Sequence, residues 1–259
     1  YGPSTFEPAA QAWAARGIGT YAYDQRGFGR NASGGHWAGA ARLLADLQAV
    51  ARELRGRHAC APLVVVGHSM GGGVALAAAP SLPADGLVLA APAIWGGEAL
   101  NPAHRALAWL AAAVMPERRF TSEGVVEIRP SDNTRMLRRL ARDPLYLRPP
   151  SAREMMGLVR VIDAAAEAAP RVDAPALLLL GAKDQIVPED AVREVFARLA
   201  GPREIIRYED GWHMLLRDLQ AARVRADVAD WALGRRTGAG PCRAGRNRLD
   251  RAPADKSHG

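Results

Sequence analysis

The stretch Val64-Val65-Val66-Gly67-His68-Ser69-Met70-Gly71-Gly72-Gly73-Val74-Ala75-Leu76 constrains this chain more than any other. A β-branched run typical of a buried parallel strand passes through a glycine-flanked serine straight into an Ala-rich helix. The pattern G-x-S-x-G arises often by chance, and its place between strand and helix is what gives it meaning. On so tight a turn the serine has a strained backbone and lifts its Oγ above the sheet. Gly67 and Gly71 are expected where strand and helix come too close for a Cβ. The helix N-terminus behind Ser69 offers N–H groups to a developing negative charge, and the Met70 N–H is the natural donor to an oxyanion. The other reading, a phosphate loop of the Walker type, needs a Lys after the glycines, and none stands there.

The rest of the chain repeats the alternation of strand and helix that builds a mostly parallel sheet covered on both faces, the α/β class. Strand signals fall at Ile18–Tyr23, Leu63–Val66, Leu87–Ala90, Leu177–Leu180 and Glu204–Tyr208. Apolar residues at 40, 43, 44, 47, 50, 51 and 54 have helical spacing, which Gly56 can end. Pro188 opens a helix with the face Val192, Val195, Phe196 and Leu199, and a last helix is expected from Met214 to Leu233. Between about Trp95 and Pro170 the alternation breaks into helical patterns only: Ala103–Met115, Asn133–Ala141 and Ala152–Ala166. The expected organisation is a core of residues 1–94 and 171–234, a helical cap at 95–170 over the strand ends, and a disordered basic tail at 235–259.

A length of 259 residues suits one such domain with an insertion. The net charge of +7 does not point to nucleic acid, because the tail (Arg235, Arg236, Arg243, Arg246, Arg248, Arg251 and Lys256 against Asp250 and Asp255) carries +5 of it. Two cysteines do not make a disulfide framework, and with Cys242 in the tail a bridge to Cys60 is not expected. No stretch reaches the roughly 18 apolar residues of a membrane span. The expected compartment is the cytoplasm.

A serine hydroxyl needs a base within hydrogen-bond reach. Of six histidines, His58 lies before a strand at the far end of the sheet, His104 in the cap, His258 in the tail, and His68 inside the turn, pointing away from the nucleophile's side. His36 fits a loop or cap contact. His213 follows a strand through Glu209-Asp210-Gly211-Trp212, at the end where α/β sites assemble; its blander role would be to cap the next helix. The carboxylate that orients the imidazole should follow another strand end, and Asp184 does, after Leu177–Leu180. Asp210 is its competitor, although an Asp so near in sequence more often caps a helix.

With these residues in place the chain resembles the α/β-hydrolase superfamily, and within it the monoacylglycerol lipase, lysophospholipase and serine aminopeptidase S33 group. The resemblance rests on Gly67-His68-Ser69-Met70-Gly71-Gly72, Tyr23-Asp24-Gln25-Arg26-Gly27-Phe28-Gly29, Asp143-Pro144-Leu145, and Gly181 to Pro188 with His213. It covers about residues 1–233. It implies a helical cap and the hydrolysis of lipid or small esters with no metal or organic cofactor. Members of the group carry an apolar strand ending in His-Gly before the position of Tyr1-Gly2. The next residue, here Tyr1, supplies the second oxyanion N–H. That strand lies beside the one ending at the serine, and a sheet lacking it leaves rows of backbone groups unpaired at about 1–3 kcal/mol each where buried. The expectation is therefore an N-terminally incomplete copy of a longer protein.

The chemistry so implied is acyl transfer from an uncharged ester to Ser69, with His213 as base, Asp184 as its orienter, and Met70 and Tyr1 at the oxyanion. Leu107, Leu110 and Met155 lead the apolar residues offered for an acyl pocket, alongside Trp109, Val114, Met115, Met156 and Leu158. Transient contact with a membrane surface is compatible with such a substrate. Two rivals stay open: an aminopeptidase, which needs an acidic residue such as Glu98, Glu117, Glu123, Glu127 or Glu154 to hold a free amine, and a non-catalytic binding protein on the same fold.

Overall fold

The computed structural model describes residues 3–31, 37–96, 106, 109–110, 112–119, 128–143 and 149–235. Tyr1, Gly2, His36, His104, Leu107, Pro144, Leu145 and the tail beyond Arg235 lie outside them. In chain order the elements are α1 (Pro3–Ala14), α2 (Ala40–Arg57), β1 (Val64–His68), α3 (Met70–Ala78), β2 (Gly86–Ala90), α4 (Thr134–Leu140), α5 (Ala152–Ala168), β3 (Ala176–Gly181), α6 (Glu189–Ala197), β4 (Arg203–Tyr208) and α7 (Ala221–Gly234). The four strands form one parallel sheet in the order β1-β2-β3-β4, with Val64 opposite Gly86, Leu87 opposite Ala176 and Ala176 opposite Arg203. This is the α/β-hydrolase fold.

Burial follows from position in that sheet. Every residue of β2 and β3 is buried, as their unbroken apolar runs require of inner strands covered on both faces. Leu177, Leu178 and Leu179 are wholly inaccessible, each stabilising the fold by about 2 kcal/mol. β4 is the outer edge, and its charged residues face water. Helix α1 lies on α7 and is tied there by Trp13, whose Nε1–H donates to the Arg225 carbonyl (3.0 Å). Helices α2, α3 and α5 pack together, and α5 contributes Val161, Ala165 and Ala166 to the main core. The start of α5 is set by Ser151 and Glu154, each side chain bonded to the other's backbone N–H. Cys242, and with it the question of a bridge to Cys60, lies outside the described residues.

Two segments depart from the expected pattern. The last helix begins at Ala221 rather than Met214, because buried hydrogen bonds hold residues 213–220 in turns, as described below. Ile18–Tyr23 joins no ladder: residues 18–25 run without regular secondary structure. A cavity of about 820 Å³ is lined by residues 17–23 together with residues 63–67 of and before β1. On its wall Thr20 Oγ1 is buried with no partner among the described residues.

Candidate active site

Ser69 occupies the single residue between β1 and α3, with φ 52° and ψ −122°. A non-glycine residue reaches such a conformation only when its surroundings impose it. Here they do: the Ser69 N–H donates to the Ala90 carbonyl (3.0 Å), and the Ser69 carbonyl accepts from the N–H groups of Gly72 (2.9 Å), Gly73 (3.2 Å) and Ala93 (2.9 Å). Strand and helix approach so closely that a Cβ on Gly67 would stand 2.5 Å from the Gly71 carbonyl oxygen. Gly71 itself differs from expectation. A Cβ there would meet nothing within 4 Å, because this residue borders the cavity. Met70 opens α3, so its N–H belongs to the first turn, where no intrahelical acceptor exists.

Since the sheet is parallel, the loops after β1, β3 and β4 gather at one end of it. They bring together Ser69, Asp184 and His213. His213 Nε2 lies 3.0 Å from Ser69 Oγ, and Nδ1 lies 2.9 Å from Asp184 Oδ2. The carboxylate can only accept, so Nδ1 carries the proton, and Nε2 is left to accept from the serine hydroxyl. The other oxygen of Asp184 accepts the N–H groups of Ile186 (2.8 Å) and Val187 (3.2 Å), which fixes the carboxylate. Burial alone would raise the Asp184 pKa. The bond from His213, its charge and the two backbone donors outweigh burial and hold it below the ordinary value. Asp210, the competitor, instead forms an exposed ion pair with Lys183 (2.6 Å). His58 bonds Tyr21 Oη (2.7 Å).

Three groups around His213 went unassigned in the sequence. The His68 ring lies 4.9 Å from the His213 ring, with Nε2 2.8 Å from the His213 carbonyl oxygen. Burial, then the neighbouring His213, push its pKa down to about 3, so it is neutral and its Nε2–H donates to that carbonyl. Asp218 and Ser131 are both buried and share a hydrogen bond of 2.5 Å, donated by the serine. The segment around Ser131 touches both loops: the Arg129 N–H donates to the Gln185 side chain (2.9 Å), the Arg129 guanidinium lies 5.0 Å over the Trp212 ring, and the Met214 N–H donates to the Pro130 carbonyl (3.0 Å). The one hint in the sequence is a lone Asp inside the apolar run after His213.

Tyr1 and Leu107 lie outside the described residues. Leu110 (52% exposed) and Met155 (42% exposed) are open to solvent and do not line the cavity beside β1. Of the acidic residues an aminopeptidase would need, the two that are described have partners. Glu117 pairs with Arg153 (3.0 Å), and Glu154 is committed to the cap of α5 and to Arg119 (3.4 Å). Glu98, Glu123 and Glu127 lie outside the described residues. Among the described residues no group of three or more His, Cys, Asp or Glu side chains is arranged to hold a metal ion.

The family model for serine aminopeptidase, S33, matches residues 4–220. The chain belongs to this family. A monoacylglycerol lipase of Mycolicibacterium smegmatis is 27% identical to this S33-family chain over 236 residues, 87% of the chain and 82% of the relative. Among solved structures, the monoacylglycerol lipase of Paleococcus ferrophilus superposes with a TM-score of 0.77 at 22% identity, covering 90% of each chain. A thermostable carboxyl esterase of Bacillus coagulans superposes with a TM-score of 0.73 at 16% identity, over 90% of this chain and 86% of the esterase. Both superpositions speak for the fold that this S33-family member shares with them. No helix among its described residues is long and apolar enough to cross a membrane.

Proposed function

We propose that this chain is a serine hydrolase that cleaves carboxylic esters of lipid type, monoacylglycerols or lysophospholipid-like esters, through an acyl-enzyme. The observation that carries the reading is the continuous hydrogen-bonded line from Asp184 through His213 to a serine held on a strained strand-to-helix turn. In the first half-reaction the Ser69 Oγ–carbonyl carbon bond forms as the hydroxyl proton passes to His213 Nε2. Asp184 keeps the imidazole in the required tautomer and stabilises the imidazolium. The oxyanion faces the Met70 N–H, and the position of Tyr1 would supply the second donor. Collapse expels the alcohol with the proton from His213. Water then repeats the sequence on the acyl-enzyme, releasing the acid and restoring Ser69.

An ester of monoacylglycerol type is favoured over an aminoacyl substrate by the curated relative's name and by the engagement of Glu117 and Glu154 elsewhere. In this reading residues 95–170 serve as a helical cap over the strand ends and residues 235–259 as a basic tail. Labelling by a fluorophosphonate probe tests the nucleophile. Labelling of the wild type and none of Ser69→Ala is expected, and labelling that survives the substitution would refute it. A panel of monoacylglycerols, nitrophenyl esters and aminoacyl nitroanilides tests the substrate class; turnover of the anilides alone would overturn the ester assignment.

A further inference from the structure

The backbone on which His213 stands is held at three successive residues. The Trp212 N–H donates to Asp218 Oδ2 (2.8 Å), the His213 carbonyl accepts from His68 (2.8 Å), and the Met214 N–H donates to the Pro130 carbonyl (3.0 Å). Two of these three restraints lead to one short segment, residues 130–133. Asp218 reaches it through its other oxygen, which accepts the Ser131 hydroxyl (2.5 Å), and Ser131 Oγ accepts the Asn133 N–H (3.2 Å). From the other side Asn133 Nδ2 donates to the Arg217 carbonyl (2.9 Å), and Asp132 Oδ1 accepts the Leu219 N–H (2.9 Å). The segment and residues 212–219 are thus stitched together next to the imidazole.

At the centre of the stitching is a carboxylate that is 3% exposed, bonded to a serine that is 0% exposed. A buried carboxylate is an expensive way to join two loops when an amide or an apolar contact would serve. Burial, with Asp132 adding to it, raises the Asp218 pKa to about 6 even though Ser131 and Trp212 bond to it. The group therefore costs stability at neutral pH, while it touches the residue adjoining the candidate base. That combination points to use in the site.

We propose that Asp218 is a positioning residue, which with Ser131 latches the segment at residues 130–133 to the backbone of residues 212–214 and so sets the reach of His213 to Ser69. The proposal rests on the reading of Ser69 and His213 as nucleophile and base. The separation of 3.0 Å between them leaves little slack, since a hydrogen bond is lost by about 3.6 Å, and misplacement of a reacting group by about 1 Å can cost some 10²-fold in rate. Asp218 touches neither substrate nor Ser69 in this scheme; it acts through the loop.

The test uses the full chain and its variants Asp218→Ala, Asp218→Asn and Ser131→Ala. A fluorophosphonate first counts the competent serines in each preparation, and nitrophenyl butyrate turnover is then expressed per counted site, so that loss of folded protein does not pass for loss of rate. Asp218→Ala should lower kcat per site about 10- to 100-fold while KM moves less than about threefold. Ser131→Ala should show the same split at about three- to tenfold, and it decides the matter alone if Asp218→Ala does not fold. Asp218→Asn can accept from Trp212 through its oxygen and donate to Ser131 through its nitrogen, so it should stay within about threefold of wild type. Wild-type kcat per site in Asp218→Ala or Ser131→Ala overturns the proposal, as does an Asp218→Asn as impaired as Asp218→Ala. A wild-type chain that titrates no serine brings down the reading of Ser69 itself, and this proposal with it.

Discussion

Exchanging Asp218 for Asn removes a charge that the native state holds at a cost, and the size of that cost can be worked out from the site. The carboxyl titrates near 6 in the folded chain against 3.8 for an ordinary aspartate, because burial outweighs the bonds from Ser131 and Trp212. Each unit is worth about 1.4 kcal/mol, so keeping the charge at pH 8 costs about 3 kcal/mol. The sign follows from which state binds the proton more tightly. Above pH 6 the group is ionised in both states, and the folded chain bears the full penalty. As pH falls from 6 towards 3.8, the folded chain takes up the proton first and the penalty is lifted. Urea unfolding of wild type and Asp218→Asn at intervals from pH 4 to pH 8 reads this directly. The stability advantage of the Asn variant should grow by about 2–3 kcal/mol over that range. Other carboxyls titrate in both proteins and cancel in the difference. An advantage that stays flat with pH would show that Asp218 is not held as a costly anion, and the argument from burial would fail.

Asp184→Asn keeps the size of the side chain but favours the wrong imidazole tautomer, and should lower kcat/KM on a short ester by about 10³- to 10⁴-fold with the melting temperature little changed; a loss below tenfold would deny Asp184 its role. His68→Phe keeps a buried ring and removes the donor to the His213 carbonyl, so kcat per titrated serine should fall about tenfold. Because burial and His213 keep His68 neutral down to about pH 3, it should add no ionisation of its own to the acid limb of the wild-type pH–rate profile above that pH. Gly67→Ala drives a methyl into the Gly71 carbonyl and should destabilise by about 3 kcal/mol or more. Gly71→Ala meets open space inside a helix and should be neutral or stabilising by up to about 1 kcal/mol in the same unfolding assay.

The parts of the fold legible in the sequence are those fixed by local pattern. The apolar runs of β2 and β3 announce inner strands, Pro188 and Gly201 bracket α6, and the glycine-flanked Ser69 announces the turn from strand to helix. His213 and Asp184 could be singled out because each follows a strand end, which needs only the order of elements. What could not be read depends on chain crossings. Ser131 and Asp218 lie 87 residues apart, and nothing local to either names the other. His68 sits one residue before Ser69, yet its partner is a carbonyl 145 residues on. The apolar spacing from Met214 looks helical, but Asp218 and Asn133 pin residues 213–220 in turns, so tertiary bonds override the periodicity. Ile18–Tyr23 has the composition of a strand but pairs with no strand among the described residues.

The cavity next to β1 bears on Ser69 itself. Inner strands are braced by two ladders of backbone bonds, whereas among the described residues the strand that delivers Ser69 has one, through Val64–His68 to β2. Residues 63–67 also line the cavity. The backbone that seats the Ser69 hydroxyl is therefore held on the sheet by the β2 ladder.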